Sequence, residues 1–157
     1  MALINWIRSA CRKVWKLQEH DLPSIQDLLG EFGEGATLGQ GVEIIGDVSS
    51  IKVGPRVSIG DGARLVCAPG GSITLGAGTV IQPRAYLDTG KDGHIKLGKH
   101  NSVNPYCVIY GHGGLTTGAF VRIAAQTVII PANHIFDDPS VPIARQGLRM
   151  QGIEIGD

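Results

Sequence analysis

The hydrophobic positions follow two different periods along the chain, and the change of period separates two regions. Near the amino terminus, apolar side chains recur at helical spacing while charged residues take the other side, which predicts an amphipathic helix over residues 1–22 that ends near Pro23. Its apolar positions are Leu3, Ile4, Ile7, Ala10, Cys11, Val14 and Trp15. We expect this helix to pack on the protein body or on a neighbouring subunit. Trp6 and Trp15, with basic residues beside them, leave an interfacial membrane helix as the less favoured alternative.

From Leu38 onward, the helical period is replaced by a period of six residues. Aliphatic residues recur in consecutive triplets with this spacing, and glycine commonly follows them. The triplets are Val53, Ile59 and Leu65; Leu75, Ile81 and Leu87; Leu97, Val103 and Ile109; and Thr117, Ile123 and Ile129. One large and one small inward side chain per hexad, followed by a turn in which glycine adopts strained dihedrals, predict a tightly wound parallel coil. The sequence therefore predicts a mainly β solenoid over residues 38–134.

The triplets also indicate where each coil departs from the strict repeat. They begin at residues 53, 75, 97 and 117, so successive coils advance by 22, 22 and 20 residues rather than by three hexads. The extra residues are expected to stack at one corner of the solenoid. They are residues 71–74, 93–96 and 115–116. Leu38 and Ile44 indicate an incomplete first coil, which leaves residues 23–37 as a linker. Thr117 stands where the repeat has an aliphatic side chain, and we expect this exchange to lower stability.

The repeat breaks after His134. Residues 135–154 lack the six-residue period and are predicted to form an irregular loop, and long loops of this kind in compact domains are usually functional. The period resumes over residues 155–157 as the start of a further coil. A solenoid end exposes strand edges and an apolar cross-section unless another element covers it. We therefore expect this chain to be a fragment of a longer protein.

Composition and charge narrow the classes of function. Glycine accounts for 23 of 157 residues, about twice its usual share, but its irregular spacing excludes a collagen-like helix. Fourteen basic and fourteen acidic residues cancel, which removes the electrostatic argument for a nucleic-acid partner. The cysteines, Cys11, Cys67 and Cys107, form no pair typical of a disulfide framework or a zinc site. The sequence shows neither a transmembrane run nor a signal peptide, so we expect a reduced, cytoplasmic protein.

Two further segments narrow the class of protein that the repeat indicates. Residues 102–114 read Ser-Val-Asn-Pro-Tyr-Cys-Val-Ile-Tyr-Gly-His-Gly-Gly, and residues 131–139 read Pro-Ala-Asn-His-Ile-Phe-Asp-Asp-Pro. With the hexads, they resemble the hexapeptide-repeat acyltransferases, in particular the sugar O-acetyltransferase branch that includes galactoside and maltose acetyltransferases and the acetyltransferases of surface-polysaccharide assembly. The resemblance implies a left-handed parallel β-helix that assembles as a homotrimer with sites between subunits. It also implies acetyl-CoA as the co-substrate and a hydroxyl of a sugar or polysaccharide precursor as the acceptor.

The resemblance places the catalytic base at His134, which ends a coil just before the irregular loop. Imidazole titrates close enough to neutrality to take the proton of an attacking hydroxyl and return it to the leaving thiol. A carboxylate of Asp137 or Asp138, or equally a backbone carbonyl, is expected to orient the ring. An ordinary corner histidine is the structural alternative.

Further candidate residues concern the acceptor. Asn104 matches an asparagine that lines the acceptor pocket in the family, and His112 stands where some members place an acceptor-binding carboxylate. The loop also offers candidates for hydrogen bonds to a sugar: Asp137, Asp138, Arg145 and Gln146. Structural roles remain open for Asn104, as a corner residue with left-handed dihedrals, and for His112, as a surface loop residue.

The coenzyme contacts leave a non-enzymatic alternative open. In the family, most of these contacts come from coils that follow the loop, and in this chain Ala124 and Ala125 supply at most part of the wall around the pantetheine arm. A truncated, catalytically silent β-helix subunit that serves as a structural or assembly partner is therefore the second hypothesis.

A γ-type carbonic anhydrase is disfavoured because the histidines lack the His-x4-His element of its zinc site, so no metal is expected. A nucleotidyltransferase would need an additional α/β domain, for which the chain has no room.

Overall fold

The computed structural model describes residues 25–157, so the helix predicted over residues 1–22 lies outside the described residues. The described chain is mainly β, with two short helices, α1 (Ile25–Leu28) and α2 (Ile143–Gln146), and a 3-10 turn at Val48–Ser50. The strands are β1 (Glu31–Phe32), β2 (Thr37–Leu38), β3 (Glu43–Gly46), β4 (Ile51–Val53), β5 (Ser58–Ile59), β6 (Arg64–Cys67), β7 (Ser72–Leu75), β8 (Val80–Ile81), β9 (Tyr86–Asp88), β10 (His94–Leu97), β11 (Ser102–Val103), β12 (Val108–Tyr110), β13 (Leu115–Thr117), β14 (Arg122–Ile123), β15 (Val128–Ile129), β16 (Ala132–His134), β17 (Leu148–Met150) and β18 (Ile153–Ile155). Within residues 25–157, no helix combines the length and the apolar character needed to cross a bilayer.

The strands build three parallel sheets around one core. The first face has the strand order β1-β4-β7-β10-β13-β18, the second face β2-β5-β8-β11-β14 and the third face β3-β6-β9-β12-β15. Each consecutive triplet of strands up to β15 therefore contributes one strand to every face, and the chain winds as a parallel β-solenoid. This arrangement confirms the predicted mainly β, parallel coil.

Hexad positions form continuous apolar rows inside the solenoid. On the first face, Leu75 and Leu97 pair in register, and both are buried. The residues predicted as insertions lie side by side, but they belong mostly to β7, β10 and β13 rather than to corner loops. Because residues two apart on a strand point to the same side, each longer strand of the first face buries a second side chain. Ile73, Ile95 and Leu115 form this additional buried row.

The glycines that follow hexad residues allow neighbouring coils to approach closely, and they do not have the strained dihedrals expected from the sequence. A Cβ on Gly76 would lie 2.5 Å from the backbone carbonyl carbon of Gly98 in the next coil, although neither residue has a positive φ. The left-handed corner position falls two residues later, where Gly78 and His100 have φ values of 69° and 56°. The repeat therefore favours glycine after the aliphatic residue because stacked backbones touch there.

Thr117 lies in the core and keeps hydrogen-bond partners. Its Oγ1 accepts from Nδ2 of Asn101 at 2.5 Å and from the backbone N of Gly98 at 3.1 Å. Thr117 and Asn101 are both buried. At this position the aliphatic contact of the repeat is therefore replaced by an acceptor that a buried amide uses.

Regular structure extends beyond the predicted limits of the repeat. Helix α1 and strand β1 lie within residues 23–37, where the sequence predicts a linker, and β1 pairs with β4. Helix α2, strand β17 and the start of β18 lie within the predicted irregular loop, residues 135–154. Strand β18 pairs with β13, and Ile155 lies opposite Thr117. Ile155 fits the predicted return of the six-residue period, whereas the other elements do not follow that spacing and therefore escape the hexad pattern.

Candidate functional site

After β15, the chain leaves the three faces, and β16 and β17 form a separate two-stranded antiparallel sheet. Residues Ala132, Asn133 and His134 lie opposite Met150, Arg149 and Leu148, respectively. Because side chains alternate along a strand, His134 and Leu148 lie on one side of this β16–β17 hairpin, and Asn133 and Arg149 lie on the other. The hairpin therefore has two sides of different chemistry.

A cleft of about 320 Å³ opens on the His134 side of the hairpin, and we call it the histidine cleft. It is lined by Tyr110, His112, Ile130, Ala132, Asn133, His134 and Leu148. The structure thus brings together His112 and His134, two of the candidate residues from the sequence, and surrounds them with largely apolar walls. The side chain of His134 is exposed, and that of His112 is half-buried.

His112 is held in the wall of the cleft by packing. Its Nδ1 is buried and has no hydrogen-bond partner among residues 25–157. Its ring centroid lies 5.2 Å from that of Tyr110. The ring also lies against Gly90, where a Cβ would come within 2.5 Å of Cδ2 of His112. Gly90 has a φ of 63°, so glycine at this position permits both the left-handed turn and the close approach of the imidazole.

Tyr86 and Asp88, on the outer side of the third face, support this wall. The Tyr86 ring packs edge-on against Tyr110, with ring centroids 6.1 Å apart, and its hydroxyl donates a 2.8 Å hydrogen bond to Oδ2 of Asp88. Burial, followed by the hydrogen bond to Asp88 and its charge, raises the pKa of Tyr86 to about 12. Oδ1 of Asp88 also accepts from the backbone N of Gly90 at 2.8 Å. One carboxylate therefore links Tyr86 to the turn beside His112.

The two carboxylates that follow His134 in the sequence bind other groups. Oδ2 of Asp137 accepts from Nη2 of Arg149 at 3.1 Å, and the side chains of Arg149 and Asp137 are 61% and 65% exposed. Oδ1 of Asp138 accepts from Oγ and N of Ser140 at 2.6 and 2.8 Å, and the hydroxyl and then the backbone hydrogen bond lower the pKa of Asp138. Within residues 25–157, neither carboxylate is hydrogen-bonded to His134, so both shape the loop instead.

The remaining candidates do not line the histidine cleft. Asn104, in the corner after β11, donates from Nδ2 to the carbonyl oxygen of Ile123 in the next coil at 2.7 Å. Ala124 and Ala125 are exposed in the turn between β14 and β15, and Arg145 is exposed on α2. Among residues 25–157, no group of three or more His, Cys, Asp or Glu side chains is placed to hold a metal ion.

A second cleft, of about 330 Å³, adjoins the histidine cleft along β16, and we call it the polar cleft. It is lined by Ile130, Ala132, Asn133, Arg149, Gln151, Gly152 and Ile153. The hexad pattern could not identify Arg149 and Gln151 because they lie in a segment without the six-residue period. The alternation of apolar and polar residues over 148–151 is the sequence signal that indicates a strand there.

Comparison with known proteins assigns no family to the chain. No family model matches it, and no curated protein sequence is significantly similar to it. One fold supports many unrelated activities, so a parallel β-solenoid names no function by itself. The two clefts and the resemblance of the sequence motifs are therefore the features that bear on function.

Proposed function

We propose that this chain is an acetyl-CoA-dependent O-acetyltransferase whose acceptor is a hydroxyl of a sugar or polysaccharide precursor. The proposal includes a left-handed solenoid, which the resemblance to hexapeptide-repeat acyltransferases supports. It also includes a cytoplasmic location, which suits the free thiols of Cys67 and Cys107. The strongest support is His134, an exposed imidazole that lines the histidine cleft together with His112.

The proposed reaction needs one base, and His134 supplies it. The neutral imidazole takes the proton of the acceptor hydroxyl while the hydroxyl oxygen attacks the thioester carbonyl, which forms a C–O bond and a tetrahedral intermediate. When this intermediate collapses, the C–S bond breaks, and the imidazolium returns the proton to the leaving sulfur. His134 has thus returned the proton by the end of one turnover, so the reaction requires no second acid or base.

The lining of the histidine cleft suits a small polyol such as one sugar unit. Its volume of about 320 Å³ lies at the lower end of the range for small-molecule sites. The Tyr110 ring and Leu148 offer apolar surface to the C–H groups of a sugar ring, and His112 and His134 offer polar atoms to its hydroxyls. A few polar groups among apolar walls are typical of sites that fix the orientation of a ligand.

We also propose a homotrimer in which a neighbouring subunit covers the hairpin region. Large apolar side chains are exposed in this part of the chain. They are Val128, Ile130, Phe136, Ile143, Leu148 and Met150. Exposed apolar side chains that cluster in one region mark interaction surfaces. Because Ile130 and Leu148 also line the histidine cleft, we expect the neighbouring subunit to complete the site.

The substitution His134→Asn tests the base. A positioned general base contributes about 10²- to 10⁴-fold to the rate. We therefore expect thiol release from acetyl-CoA, followed with a chromogenic thiol reagent across a panel of sugars, to slow at least about 100-fold. His100→Asn is the matched control, because His100 stacks on Phe120 at another corner and asparagine tolerates its φ of 56°. Thiol release that is unchanged in His134→Asn would contradict the assignment.

A catalytically silent structural or assembly subunit is the second candidate, and the environment of Asn104 favours it. The Asn104 amide is engaged between coils by the carbonyl oxygen of Ile123, and Ala124 and Ala125 lie outside the lining of the histidine cleft. Calorimetric titration with acetyl-CoA separates the two candidates. Binding supports the enzyme, whereas a folded trimer that does not bind acetyl-CoA supports the assembly role.

A further inference from the structure

The two clefts share one strand but differ in chemistry. Ile130, Ala132 and Asn133 line both, whereas His134 and Leu148 line the histidine cleft alone. Arg149 and Gln151 belong to the polar cleft alone. The polar cleft therefore adjoins the histidine cleft along β16.

The lining of the polar cleft is rich in hydrogen-bond donors and carries no negative charge. Arg149 contributes a guanidinium group, Asn133 and Gln151 contribute amide groups, and Gly152 contributes backbone without a side chain. No Asp or Glu is among the residues that line the cleft. Guanidinium groups bind carboxylate and phosphate oxygens in pairs of parallel hydrogen bonds. The composition of this lining is complementary to an oxyanion.

Arg149 already binds an oxyanion of the protein itself. Its Nη2 donates to Oδ2 of Asp137 at 3.1 Å, and both side chains are more than half exposed. Exposed ion pairs of this kind contribute little free energy because water screens them. A phosphate group, with more charge and more acceptor oxygens than a carboxylate, can therefore replace Asp137 at Arg149.

We propose that the polar cleft binds a phosphate group of a substrate, and that this phosphate displaces Asp137 from Arg149. The choice of substrate rests on the proposed function, in which two reactants can carry phosphate: coenzyme A, and a sugar acceptor activated as a nucleoside diphosphate. Binding of phosphate at Arg149 leaves the reacting group of the same molecule beside β16, the strand that carries His134.

Titration of the protein with inorganic pyrophosphate, followed by calorimetry or by amide chemical shifts, tests the site without catalysis. We expect Arg149→Gln to raise the Kd for pyrophosphate about tenfold or more, because it removes charge-assisted hydrogen bonds. Asp137→Asn is expected to lower the Kd about two- to fivefold, because it removes the competing carboxylate. Arg145→Gln is the matched control, since Arg145 is exposed on α2 and does not line the polar cleft. Equal effects of the two arginine substitutions, or weaker binding by Asp137→Asn, would overturn the site.

A second set of titrations distinguishes the two sources of phosphate. Coenzyme A and a uridine diphosphate sugar are titrated separately into the native chain and into Arg149→Gln, and the ligand whose Kd rises in the variant is the one that occupies the cleft. If neither Kd rises, the substrate assignment is overturned. If pyrophosphate binding depends on Arg149 but no acetyl transfer is detected, the phosphate site stands and the proposed reaction fails.

Discussion

At the scale of single residues, the hydroxyl of Thr117 accepts a hydrogen bond from a buried amide in a row that is otherwise hydrophobic. Both N–H groups of the Asn101 amide are used, one by Oγ1 of Thr117 and the other by the carbonyl oxygen of Gly118 at 3.0 Å. Oδ1 of Asn101 accepts from the backbone N of Val121 at 2.7 Å. Buried polar groups are tolerated where their hydrogen bonds are complete. Thr117 and Asn101 therefore act as a pair that joins two coils.

We expect Thr117→Val to lower the free energy of unfolding by about 1–3 kcal/mol, because it leaves an N–H group of Asn101 buried without an acceptor. Thr117→Ser is the control, since it keeps the hydroxyl and loses one methyl group, at a cost of about 1 kcal/mol. Urea denaturation followed by circular dichroism measures both changes. A valine variant as stable as the native chain would show that the aliphatic residue of the repeat fits this position equally well.

At the scale of elements, the corner between β9 and β10 determines the room available to His112. Gly90 and Gly41 have nearly the same φ, 63° and 66°, so alanine at either position introduces comparable backbone strain of about 1–2 kcal/mol. A Cβ on Gly90 would meet the His112 ring, whereas nothing lies within 4 Å of a Cβ on Gly41. This pair of glycines separates a steric effect on the cleft from a general loss of stability.

We expect Gly90→Ala to lower kcat/KM for the acceptor about ten- to a hundredfold, because the imidazole in the cleft wall must shift. Gly41→Ala is expected to leave kcat/KM unchanged. It is expected to lower the melting temperature about as much as Gly90→Ala does. Steady-state kinetics and thermal denaturation of the two variants provide the measurement. Equal kinetic effects would show that strain at a corner, rather than contact with His112, governs the result.

The sequence predicts the solenoid better than it predicts the hairpin, for a physical reason. A hexad is a local pattern that repeats, so rows such as Leu75 and Leu97 are visible without knowledge of the fold. His134 pairs with Leu148 between two strands of three residues that are separated in sequence by α2, and no repeat in the sequence indicates this pairing. Nearness in sequence also misleads at Asp137, because its carboxylate binds Arg149 on the opposite strand. Of the candidate site, the sequence alone brings out both histidines but not the second cleft.

At the scale of the whole molecule, the exposed apolar side chains are concentrated near the hairpin, and this asymmetry predicts where subunits meet. Light scattering on the native chain is expected to give the mass of a trimer. Met150→Asn is expected to weaken assembly about 10- to 100-fold, because one large apolar side chain is lost from the interface. Phe120→Asn is the control: Phe120 is 66% exposed, against 50% for Met150, but lies at a corner of the solenoid. A native chain that is monomeric would contradict the proposed assembly.

Strand β18 returns to the first face after an unusually long excursion of the chain. Leu75 and Leu97, which pair on this face, are 22 residues apart, but Leu115 and Ile153, which also pair, are 38 apart. By the logarithmic dependence of loop closure on length, the longer excursion adds about 0.5 kcal/mol of chain entropy to the closure of β18. The hairpin that carries His134 and Arg149 lies inside this excursion. Amide hydrogens of β18 are therefore expected to exchange with solvent early, and a ligand that fastens the hairpin shortens the free segment. Ligand binding in the clefts is therefore expected to slow amide hydrogen exchange in β18.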